Sequence, residues 1–323
     1  MATSPDLLSW EIRPPFWAPY DAYAMDCPQV FRENGKWYII YSPFDKLSYG
    51  TVYRFSNSLE EPWVIPKRRG LDGRRFYAAK SISNGKRRFA FSWVHSRKDE
   101  SNTGHWEHSG RMAIPHEMVF EKEGDIAIKC PDEVLELYSK IDFEFKPEIG
   151  KWVKENNKIT CKNNDQFSYG FITYSNSLGE ENLLIKANIE IKNNNAGFLI
   201  RANDNLTEGF ILEINPSFNK VTLDRFPQPL EFMWEEIILM NFNKPSTERD
   251  ISTPLVERPL KIDEKELIKV LLFISGSLVE VYIENKIALT HRIYKPEYNC
   301  NEIGIFTEGD TVFNEVQLEC QNK

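Results

Sequence analysis

Along most of the chain apolar residues alternate with polar ones in short runs, and few stretches repeat at helical spacing. From residue 24 to about 65 this pattern predicts three strands, Gln29–Arg32, Trp37–Ser42 and Thr51–Phe55. Asn34-Gly35 is a strong hairpin turn between the first two, and Glu60-Glu61-Pro62-Trp63 closes the unit. A second unit starts at Leu71-Asp72-Gly73 and predicts strands at Phe76–Ile82 and Arg88–Trp93, joined through Ser83-Asn84-Gly85-Lys86. A further pair is expected near Gly110–Pro115 and His116–Phe120. Two meanders of about four strands at this spacing suit propeller blades better than a sandwich. The best helical candidate is short, Asp132 to Lys140, with Val134, Leu135, Leu137 and Tyr138 as its apolar positions.

After Cys130 the texture changes to Asn- and Lys-rich sequence with longer alternating strands. Leu183–Ile191, Gly197–Arg201, Gly209–Ile214, Val270–Ser275, Leu278–Glu284 and Val312–Leu318 are predicted, with Gly, Asn and Asp at the turns. Such spacing predicts a two-sheet sandwich. The stretch 226–262, with Pro227, Pro229, Pro245, Pro254 and Pro259, reads as a long irregular loop. The expected fold class is therefore all-β. A boundary within residues 121–150 divides the chain into 1–130, a partial propeller, and 131–323, a sandwich with its linker.

Composition narrows the function. The net charge of −8 is spread over interspersed acidic and basic residues, which argues against a nucleic-acid partner. The basic run Lys67-Arg68-Arg69, with Arg74-Arg75 and Arg87-Arg88, reads as solvated turns because Gly70, Gly73 and Gly85 interleave it. Aromatic residues make up 13% of the chain, a supply of faces on which sugar rings stack. The five cysteines, Cys27, Cys130, Cys161, Cys300 and Cys320, show neither disulfide nor zinc spacing, and no metal or organic cofactor is expected. No apolar run approaches the roughly 20 residues of a membrane helix. Met1-Ala2-Thr3-Ser4-Pro5 does not begin a secretory signal, so the chain as written reads as cytoplasmic.

The order of several segments is informative. Ser4-Pro5-Asp6-Leu7-Leu8-Ser9-Trp10 is followed by Asp26-Cys27-Pro28, by Asp72-Gly73 with Phe76-Tyr77-Ala78-Ala79, and by Arg87-Arg88-Phe89-Ala90-Phe91-Ser92-Trp93. Arg111-Met112-Ala113-Ile114-Pro115-His116-Glu117 comes next. Ser275-Gly276-Ser277-Leu278-Val279-Glu280-Val281-Tyr282 and Leu289-Thr290-His291-Arg292-Ile293-Tyr294 stand near the end. In this order they resemble glycoside hydrolase family 32, the invertase, inulinase and levanase type of β-fructosidase. The resemblance is collinear over nearly the whole chain. It implies a five-bladed β-propeller followed by a β-sandwich, here represented by its C-terminal half only: the last two blades and the sandwich. The family's Trp-x-Asn-Asp-Pro-Asn, which carries the nucleophile, and its Arg-Asp-Pro are absent. Asn164-Asp165 and Asn203-Asp204 lack the flanking Pro, and Arg249-Asp250 runs into Ile251.

Asp26 falls where the family's Glu-Cys-Pro places its acid/base, one methylene shorter. By itself it would equally cap the turn before Pro28; the resemblance favours the catalytic role. Trp17 and Tyr20, with Phe16 and Tyr23, would form a sugar-stacking wall or pack blade against blade. Tyr77, Lys80 and Trp93 would line the neighbouring blade, with Lys80 where the family usually has Gln. Asp72 would bond a sugar hydroxyl or make an ordinary turn. Arg54 would pair with a carboxylate or lie exposed on its strand. His95, His105 and His108 read as loop residues without a catalytic role. The expected activity is hydrolysis of fructosyl O-glycosidic bonds in sucrose or fructans, and with no nucleophile in the sequence the isolated chain is expected to be inactive. A second chain or copy would cover the open propeller edge. The alternative is a non-catalytic carbohydrate-binding protein on the same scaffold.

Overall fold

The computed structural model describes residues 1–20, 22–44, 50–102, 104–162, 166–174, 182–227, 254–261, 267–294 and 302–322. Asn164-Asp165, Arg249-Asp250, Cys300 and most of the stretch expected as an irregular loop lie outside them.

The first blade sheet is antiparallel, Ala24–Glu33 against Lys36–Phe44 against Val52–Ser56. Asn34 and Gly35 both take positive φ, 47° and 77°, which matches the turn to the strand twist and sets the register Glu33↔Lys36. The second blade sheet runs Tyr77–Ser83, Arg88–Arg97, His116–Phe120, Ile126–Lys129, and Trp106–Met112 pairs with the far half of Arg88–Arg97. Its strand Ile126–Lys129 was not anticipated. The predicted helix is shorter than expected. It covers Asp132–Leu135 only, and Tyr138–Ile141 is a strand bonded to Thr311–Gln321. Val256–Pro259 forms an edge strand inside the stretch expected to be irregular.

The rest is two packed antiparallel sheets. One includes, in spatial order, Thr311–Gln321, Leu183–Ile191, Ile268–Ser275, Leu278–Ile283 and, at its edge, Ile287–Arg292; the other includes Ser168–Thr173, Glu302–Thr307, Ala196–Ala202, Phe210–Asn215 and Lys220–Arg225. Ile185, Ile189, Phe198, Leu212, Leu272, Val281 and Ile305 are among the side chains that fill the space between them. The first of these sheets is buried on both faces. In Ile268–Ser275, Val270, Leu272 and Ile274 point into the sandwich, while Leu271 and Phe273 point out against Phe76, Ala90, Met118 and Ile128 of the blades. Double burial explains why this strand reads as a continuous apolar run. Each such side chain stabilises the fold by roughly 1.5–3 kcal/mol.

Polar contacts set the geometry of this seam. Asp72 is fully buried. Its carboxylate accepts from the Gly73 N–H, from the Thr290 N–H at 2.7 Å, from the Thr290 hydroxyl at 2.5 Å and from His116 Nε2 at 2.8 Å. Burial would raise its pKa, but the bonds from His116 and Thr290 hold it below the ordinary carboxylate value. Tyr282, kept protonated by burial, donates to His116 Nδ1 at 3.0 Å, which leaves the ring proton on Nε2 for Asp72. Asp72 thus joins blade to sandwich and is not a sugar contact. Beside it Glu280, also buried, accepts from the Ile114 N–H at 2.8 Å. Arg292 donates to the carbonyls of Val94 at 3.0 Å and His95 at 2.9 Å.

Two outcomes follow for stability. Asp72→Ala leaves the donors of His116 and Thr290 buried and unpaired, and urea denaturation is expected to show a loss of about 3–5 kcal/mol. Burial raises the Glu280 pKa from 4.5 to about 8. The stability it contributes is therefore fully present below pH 4.5 and is lost as pH rises through about 8. Glu280→Gln is expected to gain on the wild type across that window by a few kcal/mol, and a series of denaturation midpoints against pH measures it.

Candidate active site

Asp26 lies in the first blade sheet and Tyr77 in the second, each at a matching irregularity. Between Asp26↔Ser42 and Gln29↔Ile40 the strand carries one extra residue, and Cys27 has φ 52°. Between Tyr77↔Trp93 and Lys80↔Phe91 the neighbouring strand does the same, and Ala78 has φ 57°. These are β-bulges with a non-glycine residue in the left-handed region, a conformation that costs roughly 1–2 kcal/mol and re-aims the side chain before it. The result is a direct bond: the Tyr77 hydroxyl donates to Asp26 Oδ2 at 2.6 Å. Burial, then the bond to Asp26, raise the Tyr77 pKa, so the phenol stays a donor.

Side chains lock both bulges. Lys80 Nζ donates to the carbonyls of Cys27 at 3.0 Å and Pro28 at 3.1 Å. The Ser42 hydroxyl accepts from the Ala78 N–H at 2.8 Å, and Ser92 donates to the Tyr77 carbonyl at 2.6 Å. Gln29 acts as a staple between the sheets. Its amide donates to the Ser81 carbonyl at 2.8 Å and accepts from the Ser81 N–H at 2.7 Å. The Ser81 N–H and C=O thereby find in one side chain the two bonds a neighbouring strand would give.

The structure therefore brings Asp26, Tyr77 and Lys80 together, and Trp93 stands opposite Tyr77 in register. It also adds His95, which was expected in a loop and lies in the strand Arg88–Arg97; His108 likewise lies in a strand, Trp106–Met112. The His95 ring is 4.0 Å from Trp93 and 5.9 Å from Tyr77, centroid to centroid. Burial, with Arg75, His108 and Arg292 nearby, lowers its pKa to about 4, leaving a neutral imidazole at neutral pH. Trp17 is placed elsewhere. It packs edge-on against Tyr41 at 5.3 Å and joins Met25, Ile39 and Trp63, on the face of the first sheet opposite to Ser42. Arg54 stacks over Trp17 at 5.2 Å and donates to the Tyr41 hydroxyl at 3.2 Å. Tyr20 is 87% exposed and shares none of these contacts. Among the described residues no group of three His, Cys, Asp or Glu side chains is arranged to hold a metal ion.

The arrangement can move a proton at Asp26 Oδ2. Asp26 is the carboxylate that acts on Tyr77. Among the described residues no second carboxylate hydrogen-bonds to Asp26 or Tyr77.

Known proteins resemble this chain in family and in fold. The family model "Glycosyl hydrolases family 32 N-terminal domain" matches residues 1–131, and "Glycosyl hydrolases family 32 C terminal" matches residues 150–319. Both domains of the family are thus represented, which corrects the expectation of a C-terminal half only. No curated protein matches the chain by sequence. Similar solved structures include an exo-inulinase from Aspergillus awamori (18% identity, TM-score 0.65, covering 100% of this chain and 62% of that one). A fructan 1-exohydrolase IIa from Cichorium intybus gives 14%, 0.64, 100% and 66%, and a β-fructofuranosidase from Bombyx mori 15%, 0.62, 100% and 60%. Further structures of the last two hold 1-kestose and sucrose. At these identities the likeness is one of fold, a β-propeller joined to a β-sandwich, and the chain spans less than two thirds of the length of each.

Gln29→Ala is expected to cost about 1–3 kcal/mol through the unsatisfied Ser81 backbone groups. Chemical denaturation gives the loss, and faster amide exchange at Ser81 locates it.

Proposed function

Since the chain belongs to glycosyl hydrolase family 32, we propose that it takes part in β-fructosidase-type hydrolysis, with Asp26 as the acid/base. One observation carries this reading: the Tyr77–Asp26 hydrogen bond of 2.6 Å, built by two bulges on adjoining sheets. Strain of this kind, held by Lys80, Ser42 and Gln29, is characteristic of functional sites. Asp26 would protonate the leaving oxygen of a fructoside and then activate water. Tyr77 fixes the carboxyl orientation, Lys80 holds the bulge, and Trp93 with His95 offers a ring face to the sugar.

Retaining hydrolysis needs a second carboxyl about 5–5.5 Å away. The family's nucleophile motif is missing from these residues, and in this reading the second group is supplied from outside them. We read residues 1–130 as the propeller part and 131–323 as the sandwich. The surface from Met1 to Tyr20, where Leu7, Leu8, Trp10, Ile12 and Tyr20 are exposed, is where a partner bearing further blades would dock. The lone Asp26 carboxylate also supports a second reading, carbohydrate binding without turnover.

Purified chain, alone and mixed with a polypeptide carrying the family's remaining blades, decides between them. The chain alone is expected to release no fructose from sucrose or inulin. The mixture is expected to be active, and Asp26→Asn to lower its kcat by about 10²–10⁴-fold. Turnover by the lone chain that Asp26→Asn abolishes would remove the need for a partner. Sugar binding without turnover in the mixture would favour the second reading.

A further inference from the structure

At one place the seam between blade and sandwich is not filled. A cleft of about 280 Å³ opens there on the outer face of the doubly buried sheet, away from Asp26. The sheet contributes Phe273 and Leu278 to its wall, the blade Met112 and Ile114, and the one-turn helix and the residue two beyond it Val134 and Leu137.

Two charged side chains in this wall lack the partners their chemistry calls for. Glu280 stands opposite Phe273 in register and is 3% exposed. Among the described residues its carboxyl is bonded by the Ile114 N–H alone, at 2.8 Å to one oxygen and 3.2 Å to the other, and no cation pairs with it. A carboxyl buried this deeply is nearly always matched by a cation. Arg111 is exposed, and a Cβ added at Gly276 would stand 3.3 Å from its Nη1, so the guanidinium sits over the turn at Gly276 at the rim of the cleft. Among the described residues that guanidinium makes no ion pair and no hydrogen bond, and the Tyr138 hydroxyl in the same wall makes no hydrogen bond. The amides are half committed. Ser275 donates to Asn182 Oδ1 at 2.5 Å and Asn182 donates to Gln321 Oε1, which leaves Gln321 Nε2 as a donor to the cleft.

We propose that the cleft binds a small amino acid with an apolar side chain. The ammonium group pairs with Glu280 and donates to the Tyr138 hydroxyl; the carboxylate takes Arg111 and the Gln321 amide. The side chain lies against Met112, Ile114, Leu137 and Phe273. A simple carboxylate would answer Arg111 and leave Glu280 unmatched, and a simple amine would do the reverse. A sugar would bring hydroxyls against a largely apolar wall and leave most of them unpaired. The volume is at the small end for ligand sites, which suits one amino acid and not a peptide.

Glu280 also supplies a signature. Burial, with Asp72, raises its pKa to about 8 against the opposing Ile114 N–H and Arg292. Tyr138, Tyr282 and Cys130, which feel its charge, are pushed up as well, Tyr138 to about 12. At pH 7 the Glu280 carboxyl therefore carries a proton that an arriving ammonium displaces.

Calorimetry on the full chain at pH 7 tests this. L-Leucine and L-phenylalanine are expected to bind saturably with release of roughly one proton, read from the dependence of the heat on the buffer's ionisation enthalpy. Isocaproate and isoamylamine, which are leucine without its ammonium or its carboxylate, are each expected to bind about tenfold more weakly or worse. Arg111→Gln is expected to lower leucine affinity about tenfold and to leave isoamylamine binding unchanged. Glu280→Gln keeps the side-chain volume; it is expected to lower leucine affinity by a similar factor, spare isocaproate and abolish the proton release. No saturable heat with either amino acid would overturn the proposal. Leucine affinity unchanged in Arg111→Gln, an exposed position where folding is not at stake, would do the same. None of these results depends on Asp26, so they leave the hydrolysis reading untouched.

Discussion

The constraint on which the rest depends is the burial of one sandwich sheet on both faces. A strand such as Ile268–Ser275 presents Val270 and Leu272 inward and Leu271 and Phe273 outward, so neither face tolerates water. The blades cover the outer face, and hydrophobic contact alone would let them slide, since it is not directional. Asp72 removes that freedom. Its carboxylate is committed to a backbone N–H and a hydroxyl of Thr290 on one side and to His116 on the other, at distances that only one docking geometry satisfies.

The candidate site inherits its precision from this seam. Arg292, on the last strand of the doubly buried sheet, holds the carbonyls of Val94 and His95. These belong to the strand that carries Trp93 and pairs with Tyr77. The sandwich therefore fixes one wall of the site without lending it a side chain. The other wall comes from the first blade sheet, and Gln29 and Lys80 join the two. The bulges at Cys27 and Ala78 are the strained elements, and the bonds from Lys80, Ser42 and Ser92 offset the strain locally.

Much of this was legible in the residues. Alternating apolar positions marked most strands, Asn34-Gly35 marked the first hairpin, and the order of motifs marked the family. Asp26, Tyr77, Lys80 and Trp93 were singled out from that order, and the structure brings all four to one place. The misreadings have physical causes. Asp72-Gly73 has the composition of an exposed turn, and nothing local reveals that Thr290, far along the chain, supplies its donors. The apolar positions Val134 and Leu135 suit a helix, but pairing of Tyr138–Ile141 with the last long strand ends it after one turn. Trp17 precedes Asp26 closely in sequence, yet the sheet places it on the opposite face.

The sequence by itself determined the strand periodicity, the all-β class and the presence of a carboxylate before Cys27-Pro28, because these rest on neighbours a few residues apart. Only the tertiary structure decided where that carboxylate points. No glycine marks Cys27 or Ala78 as left-handed, so the two bulges have no local signature. They exist because contacts from Lys80, Ser42 and Ser92 make them the lowest-energy solution, and those contacts form only when the two sheets adjoin. The Tyr77–Asp26 bond is in that sense a property of the packing between blades, and the aspartate acquires its partner there.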